Sequence, residues 1–91
     1  MTVWKFYLPV DDRITIAMPR GARPLCVQVQ ANKLCLWVAV DPSADPVNHL
    51  FLICGTGHHR DDIDFSRHIG SSFQIHGGTL VFHVFDGGEQ P

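Results

Sequence analysis

The chain has 91 residues and a mass of 10.2 kDa, room for one small domain and no second. Hydrophobic residues are 45% and charged residues only 18%, which argues against disorder over most of the length. A net charge of −2 lacks the basic surplus with which a duplex-DNA binder neutralises phosphates, so no duplex partner is expected.

Apolar side chains recur with period two, the signature of strands. Trp4, Phe6 and Leu8 alternate with Val3, Lys5 and Tyr7, and Pro9 to Asp12 carry turn chemistry. Ile14, Ile16 and Met18 alternate with Arg13, Thr15 and Ala17; two prolines and a glycine then make residues 19–24 a loop. Leu25 to Gln30 and Leu34 to Asp41 read as a hairpin turning near Ala31-Asn32. A second loop runs from Pro42 to Asn48, and an apolar strand from His49 to Cys54 stops at Gly55-Thr56-Gly57. The polar stretch 58–72 is irregular, with one helical turn near Asp61 to Arg67 or a short edge strand at His68 to Gly70. Phe73 to Ile75 and Leu80 to Phe85 form a closing hairpin around Gly77-Gly78. The expected architecture is all-β: one antiparallel sandwich or small barrel of about seven short strands over residues 1–86, with 87–91 a flexible tail.

The central hairpin predicts a two-faced element. A two-residue or four-residue turn puts Leu25, Val27 and Val29 on the same side as Leu34, Leu36, Val38 and Val40. The other side holds Cys26, Gln28 and Gln30 beside Lys33, Cys35, Trp37 and Ala39. Either a neighbouring segment covers this mixed face, or it is a contact surface centred on Trp37, since tryptophan is favoured where proteins bind partners. A bulge would shift the pairing.

The opening residues MTVWKFYLPVDDR show no leader pattern of basic, long apolar and small residues, and no run approaches the roughly 18 apolar residues of a membrane helix. No signal peptide and no membrane partner are expected. Three cysteines, Cys26, Cys35 and Cys54, with no C-x-x-C, fit reduced thiols in a cytoplasm rather than a disulfide framework or a zinc finger.

Six histidines are the compositional oddity: His49, His58, His59, His68, His76 and His83. Most read as surface residues. His83 sits in a strand apolar on both sides and is expected to be hydrogen-bonded and partly buried. His58 and His59 with Asp61, Asp62 and Asp64 offer metal-ligand chemistry, but adjacent strand residues point apart, so no metal or other cofactor is expected. Gly55, Thr56, Gly57, His58, His59 and Arg60 make the best anion-site candidate. Glycines let successive N–H groups cradle an anion, and Arg60 offers a bidentate fork. The plainer reading of the same residues is a turn that ends a strand. Cys26, Cys35, Cys54, Ser66, Ser71 and Ser72 are the possible nucleophiles, and none lies in an activating motif, so no catalytic residue is assigned and no enzyme is expected.

Trp4-Lys5-Phe6 with Leu8-Pro9, Met18-Pro19-Arg20-Gly21-Ala22, Val27-Gln28-Val29-Gln30, Cys35-Leu36-Trp37, Val40-Asp41-Pro42, Gly55-Thr56-Gly57-His58 and Leu80-Val81-Phe82-His83-Val84-Phe85 resemble a family of small proteins encoded by tailed bacteriophages. The resemblance spans nearly the whole chain. It implies a viral protein in a bacterial cytoplasm or a virion and carries no site residue, the family's function being unknown.

These readings converge on a non-enzymatic binding module, expected as a homo-oligomer. Its partner is an anionic small molecule, such as a host signal nucleotide, or a host defence protein. Its ligand-binding residues are Gly55 to Arg60 together with Trp37. A virion or assembly component is the first alternative, and a metal-dependent hydrolase the second.

Overall fold

The computed structural model describes every residue except Ser71, Ser72, His76 and Thr79, with Phe73 and Ile75 described in their backbone alone. The period-two segments become strands: β1 (Thr2–Leu8), β2 (Arg13–Pro19), β3 (Arg23–Gln30), β4 (Lys33–Val40), β5 (Pro46–Gly55), β6 (Phe73–Ile75) and β7 (Leu80–Glu89). They pair as two antiparallel sheets, a three-stranded one in the order β1-β4-β3 and a four-stranded one in the order β2-β5-β7-β6. The protein is thus all-β. Among the described residues the helical content is one 3₁₀ turn, Phe65–Arg67.

The two sheets bury their inner faces against each other, which makes a sandwich. Leu8, Val27, Leu34, Leu36, Val38 and Val40 of the three-stranded sheet meet Ile14, Met18, Phe51, Ile53 and Val84 of the other. The link 9–12 carries the chain between sheets: β1 pairs with β4, whereas β2 pairs with β5. The β3–β4 turn falls at Ala31-Asn32, both left-handed (φ 52° and 62°), as a two-residue type I′ turn requires.

β5 is buried on both sides. His49, Phe51 and Ile53 face the sandwich core, while Leu50, Leu52 and Cys54 face outward and are nonetheless covered. The cover is the segment 58–70. Ile63 packs with Leu50, Leu52, Cys54 and Phe85, and the Phe65 ring stands edge-on to Phe85 at 5.2 Å. Asp64 caps the 3₁₀ turn by accepting from the Ser66 N–H at 3.0 Å. The segment ends along β7, where the Ile69 N–H donates to the Val84 carbonyl at 2.9 Å and His68 makes an isolated bridge to Phe85. Both options predicted for this stretch are therefore present in reduced form, one helical turn and one edge bridge.

Several boundaries differ from the sequence expectation. Of the expected loop 19–24 only residues 20–22 lie outside strands, because Pro19 pairs with Pro46 at the end of β2 and Arg23 and Pro24 pair with Ala39 and Val38 at the start of β3. A bulge between Pro24 and Cys26 leaves Leu25 without a partner on β4 and 40% exposed, so Leu25 does not join Val27 and Val29 on the inner face. β5 starts at Pro46, not His49, because Pro46, Val47 and Asn48 pair with Pro19, Met18 and Ala17; proline is tolerated there as the first strand residue. β7 runs on through Gly87, Gly88 and Glu89, residues expected in a tail. Leu50 pairs with Gly88 and His49 with Glu89, across a register shift that leaves Gly87 as the extra residue. A Cβ on Gly87 would lie 2.7 Å from Leu50 Cγ, so only glycine fits, and its turn-like appearance in sequence reflects a bulge inside the sheet. Beyond the strand, the Gln90 N–H still donates to the Asn48 carbonyl at 2.8 Å.

In the β3–β4 turn, Ala31 is the residue whose side chain opposes its conformation. Replacing it with asparagine, which tolerates positive φ, is expected to stabilise the protein by about 1 kcal/mol, read as a higher urea midpoint with unchanged slope. An unchanged or lower midpoint would contradict the type I′ turn.

Candidate binding surface

The loop after β5 is a tight turn. The His58 N–H donates to the Gly55 carbonyl at 3.1 Å, Gly57 takes φ 85°, and the His58 ring lies over Gly55. Thr56 extends the ladder, its N–H donating to the Val81 carbonyl at 3.0 Å, while its hydroxyl meets His83 Nε2 at 2.9 Å. His83 is half-buried and hydrogen-bonded, as its strand context predicts.

Arg60 was expected to offer its fork to an external anion, but the fork is closed inside the protein. Nε and Nη2 each reach the Asp62 carboxylate at 2.9 Å, Nη1 donates to the Ile53 carbonyl at 2.7 Å, and Nη2 also contacts the Asp12 carbonyl at 3.3 Å. The side chain is only 14% exposed. The hydrogen bonds from Arg60 hold the Asp62 carboxyl down to about 2. Arg60 thereby ties the 9–12 link and β5 to the covering segment.

The other polar residues of this region also have local partners. His59 pairs with Asp61 at 2.8 Å on the open surface, and Ser66 Oγ donates to Asp64 at 2.6 Å. Among the described residues no group of three or more His, Cys, Asp or Glu could hold a metal ion. A depression of about 390 Å³ beside the loop is lined by Gly55, Thr56, His58, Leu80, Val81 and Phe82, and a neighbouring one of about 240 Å³ adds Asp11 and Asp12. Among the described residues His58 is the one basic side chain in this lining, and the Asp11 and Asp12 carboxylates line the neighbouring depression, which disfavours an anion. Of the candidate nucleophiles, Cys35 and Cys54 are buried; Ser71 and Ser72, like His76 among the histidines, lie outside the described residues.

Sequence reasoning missed one buried polar cluster. His49, 3% exposed, stacks on Phe51 at 4.8 Å and donates from Nε2 to Asp86 Oδ1 at 2.6 Å. Asp86 also accepts from the Gly88 N–H at 2.8 Å and faces Arg67 at 3.4 Å. Burial works to raise the Asp86 carboxyl, but the bonds from His49 and Gly88 and the nearby Arg67 charge hold it below its ordinary value. The partners lie 37 residues apart, and no local pattern marks them. The cluster ties the end of β7 to β5.

The outer face of the three-stranded sheet differs in every respect. Register places its side chains in cross-strand rows: Val3, Ala39 and Arg23; Lys5, Trp37 and Cys26; Tyr7, Cys35 and Gln28; then Lys33 and Gln30. Val3, Lys5, Tyr7, Arg23, Gln28, Gln30 and Lys33 are exposed, Tyr7 at 56%, and Trp37 is half-buried among them. Lys5 Nζ and Lys33 Nζ stand 5.1 and 5.3 Å from the centre of the Tyr7 ring, and Lys5 also donates to Gln30 Oε1 at 2.9 Å. Strands β1, β3 and β4 contain no acidic residue; all nine lie elsewhere in the chain. Among the described residues, Lys5, Arg23 and Lys33 have no carboxylate within ion-pair distance, whereas Arg13, Arg60 and Arg67 do. Trp37 and the Gly55–Arg60 loop therefore belong to different sheets and do not form one site.

Among the described residues, fold and surface define a small all-β sandwich with one sheet face left open, aromatic and cationic. The chain belongs to the family described as Domain of unknown function (DUF7352), whose model matches residues 1–91. No curated protein and no solved structure matches it.

If Arg60 is an internal clamp, Arg60→Ala lowers stability by about 1–3 kcal/mol at neutral pH, because the Ile53 carbonyl loses its donor. Asp62 is depressed in the folded state, so its share is present above the ordinary value of 3.8 and disappears as pH falls through about 2. The stability gap between wild type and variant should therefore narrow on acidification over that range in urea titrations. A gap that is absent at pH 7, or that widens toward pH 2, would contradict the clamp.

Proposed function

We propose that this protein is a non-enzymatic binding module whose working surface is the outer face of β1, β4 and β3, and that it takes an anionic partner there. The observation that carries this reading is charge segregation: three cations without acidic partners share one open face with Tyr7 and Trp37, while nine acidic residues lie elsewhere in the chain. A chain of net charge −2 can attract an anion only where its charges are sorted, and these are. Arg60, with its donors committed internally, makes the loop a weaker seat than the sheet. The likeness to small tailed-phage proteins supports a setting inside an infected bacterium. Capture of an anionic host component there would serve a counter-defence role.

Retention on a heparin column at low salt tests the reading. The wild-type protein should be retained despite its net charge, and the double variant Lys5→Glu/Lys33→Glu should flow through. Arg20→Glu, on the loop after β2, should behave nearly as wild type. No retention of wild type, or equal loss in both variants, would remove the sheet face from consideration.

A further inference from the structure

The partner of that face has a chemistry that the side chains specify further. We propose that it is a single-stranded nucleic acid, with bases stacked on Tyr7 and Trp37 and phosphates held by Lys5, Lys33 and Arg23; the inference rests on the face being an anion-binding surface.

Two rings on one open sheet face are the first reason. Tyr7 lies opposite Cys35 and Lys5 lies opposite Trp37, so the two aromatic residues are diagonal neighbours on β1 and β4. Such diagonal pairs are about 7–8 Å apart, roughly two steps of a stacked strand at about 3.4 Å each. Bases accept such platforms without regard to sequence, because every base has a π face. Carboxylates do not stack. An acidic protein segment would engage the ammonium groups and leave both rings uncovered.

The second reason is how the cations surround the rings. Lys5 and Lys33 both approach Tyr7, at 5.1 and 5.3 Å, so an arriving base displaces an ammonium group by only a few ångströms and leaves it beside the adjoining phosphate. Arg23 extends the charge to the far end of the face, beyond Trp37, in the row of Val3 and Ala39. Gln28 and Gln30 add amides that can hydrogen-bond base edges. A duplex conceals the flat faces of its bases and would meet only three cations, which is little for a partner recognised by phosphate alone.

The test uses fluorescein-labelled oligo-dT and oligo-U of about twelve nucleotides, within the range that small β-domain binders cover. A duplex of the same length, polyglutamate and heparin are competitors, and anisotropy is the readout. At least one of the two single strands should bind, and the duplex should bind at least tenfold more weakly. The slope of log affinity against log salt should be near −2, as about three neutralised phosphates give on a single strand. Tyr7→Ala, which removes a ring that is 56% exposed, should weaken binding roughly tenfold, and Tyr7→Phe should restore it. In a Trp4→Phe background the strand should quench Trp37 fluorescence. Binding of heparin or polyglutamate that is lost in Lys5→Glu/Lys33→Glu but indifferent to Tyr7→Ala, with no preference for single strands, would overturn this inference and leave the anionic-partner reading standing. Failure of every polyanion would overturn both.

Discussion

Two packed sheets present four faces, and in this chain the apolar side chains cover three of them. The inner faces cover each other through a core that includes Leu36, Val38, Phe51 and Val84, all essentially inaccessible. The third face, on the outside of β5 and β7, is covered by the segment 58–70 through Ile63 and Phe65. That cover is not a packed element in its own right; its one regular piece is a three-residue turn. Its position depends on polar ties at both ends, Arg60 to Asp62 and the Ile53 carbonyl at one, Arg67 to Asp86 at the other. The fourth face, outside β1, β4 and β3, has no comparable segment over it among the described residues, and its exposed side chains are cationic, amide-bearing and aromatic.

This distribution also sorts the charge. The cover requires arginines that hydrogen-bond to carboxylates and carbonyls at close range, and these lie with their acidic partners on the four-stranded side. The open face holds cations and no acid. The asymmetry follows from the covering job, because a loop over an apolar sheet needs internal polar bonds to remain folded, while a bare face needs only solvation.

Much of the fold is legible in the sequence because period two is local information. Trp4, Phe6 and Leu8, or Leu34, Leu36, Val38 and Val40, announce a strand and its apolar side without reference to the rest of the chain. The Ala31-Asn32 turn is legible for the same reason, since the two strands on either side set its length. What stayed hidden depends on distant partners. Leu25 drops out of its row through a bulge, and Gly87 and Gly88 belong to β7 only because Leu50 lies against them. His49 and Asp86 meet across the sheet, each unremarkable where it stands in sequence. The site divides in the same way. Trp37 and Lys33 on a mixed face are visible in the hairpin, but Lys5 and Tyr7 join them only because β1 pairs with β4, and strand order is not written in alternation. In sequence Arg60 reads as a free fork, because nothing near it shows that the Ile53 and Asp12 carbonyls lie within its reach.

The account stands on one face being open and its counterpart being closed, and hydroxyl-radical footprinting read by mass spectrometry measures that directly. At low protein concentration Tyr7 should be oxidised rapidly, while Leu52 and Phe85, equally outward on their own sheet, should be strongly protected beneath residues 58–70. Rapid oxidation of Leu52 and Phe85, or protection of Tyr7 in the monomeric protein, would contradict it.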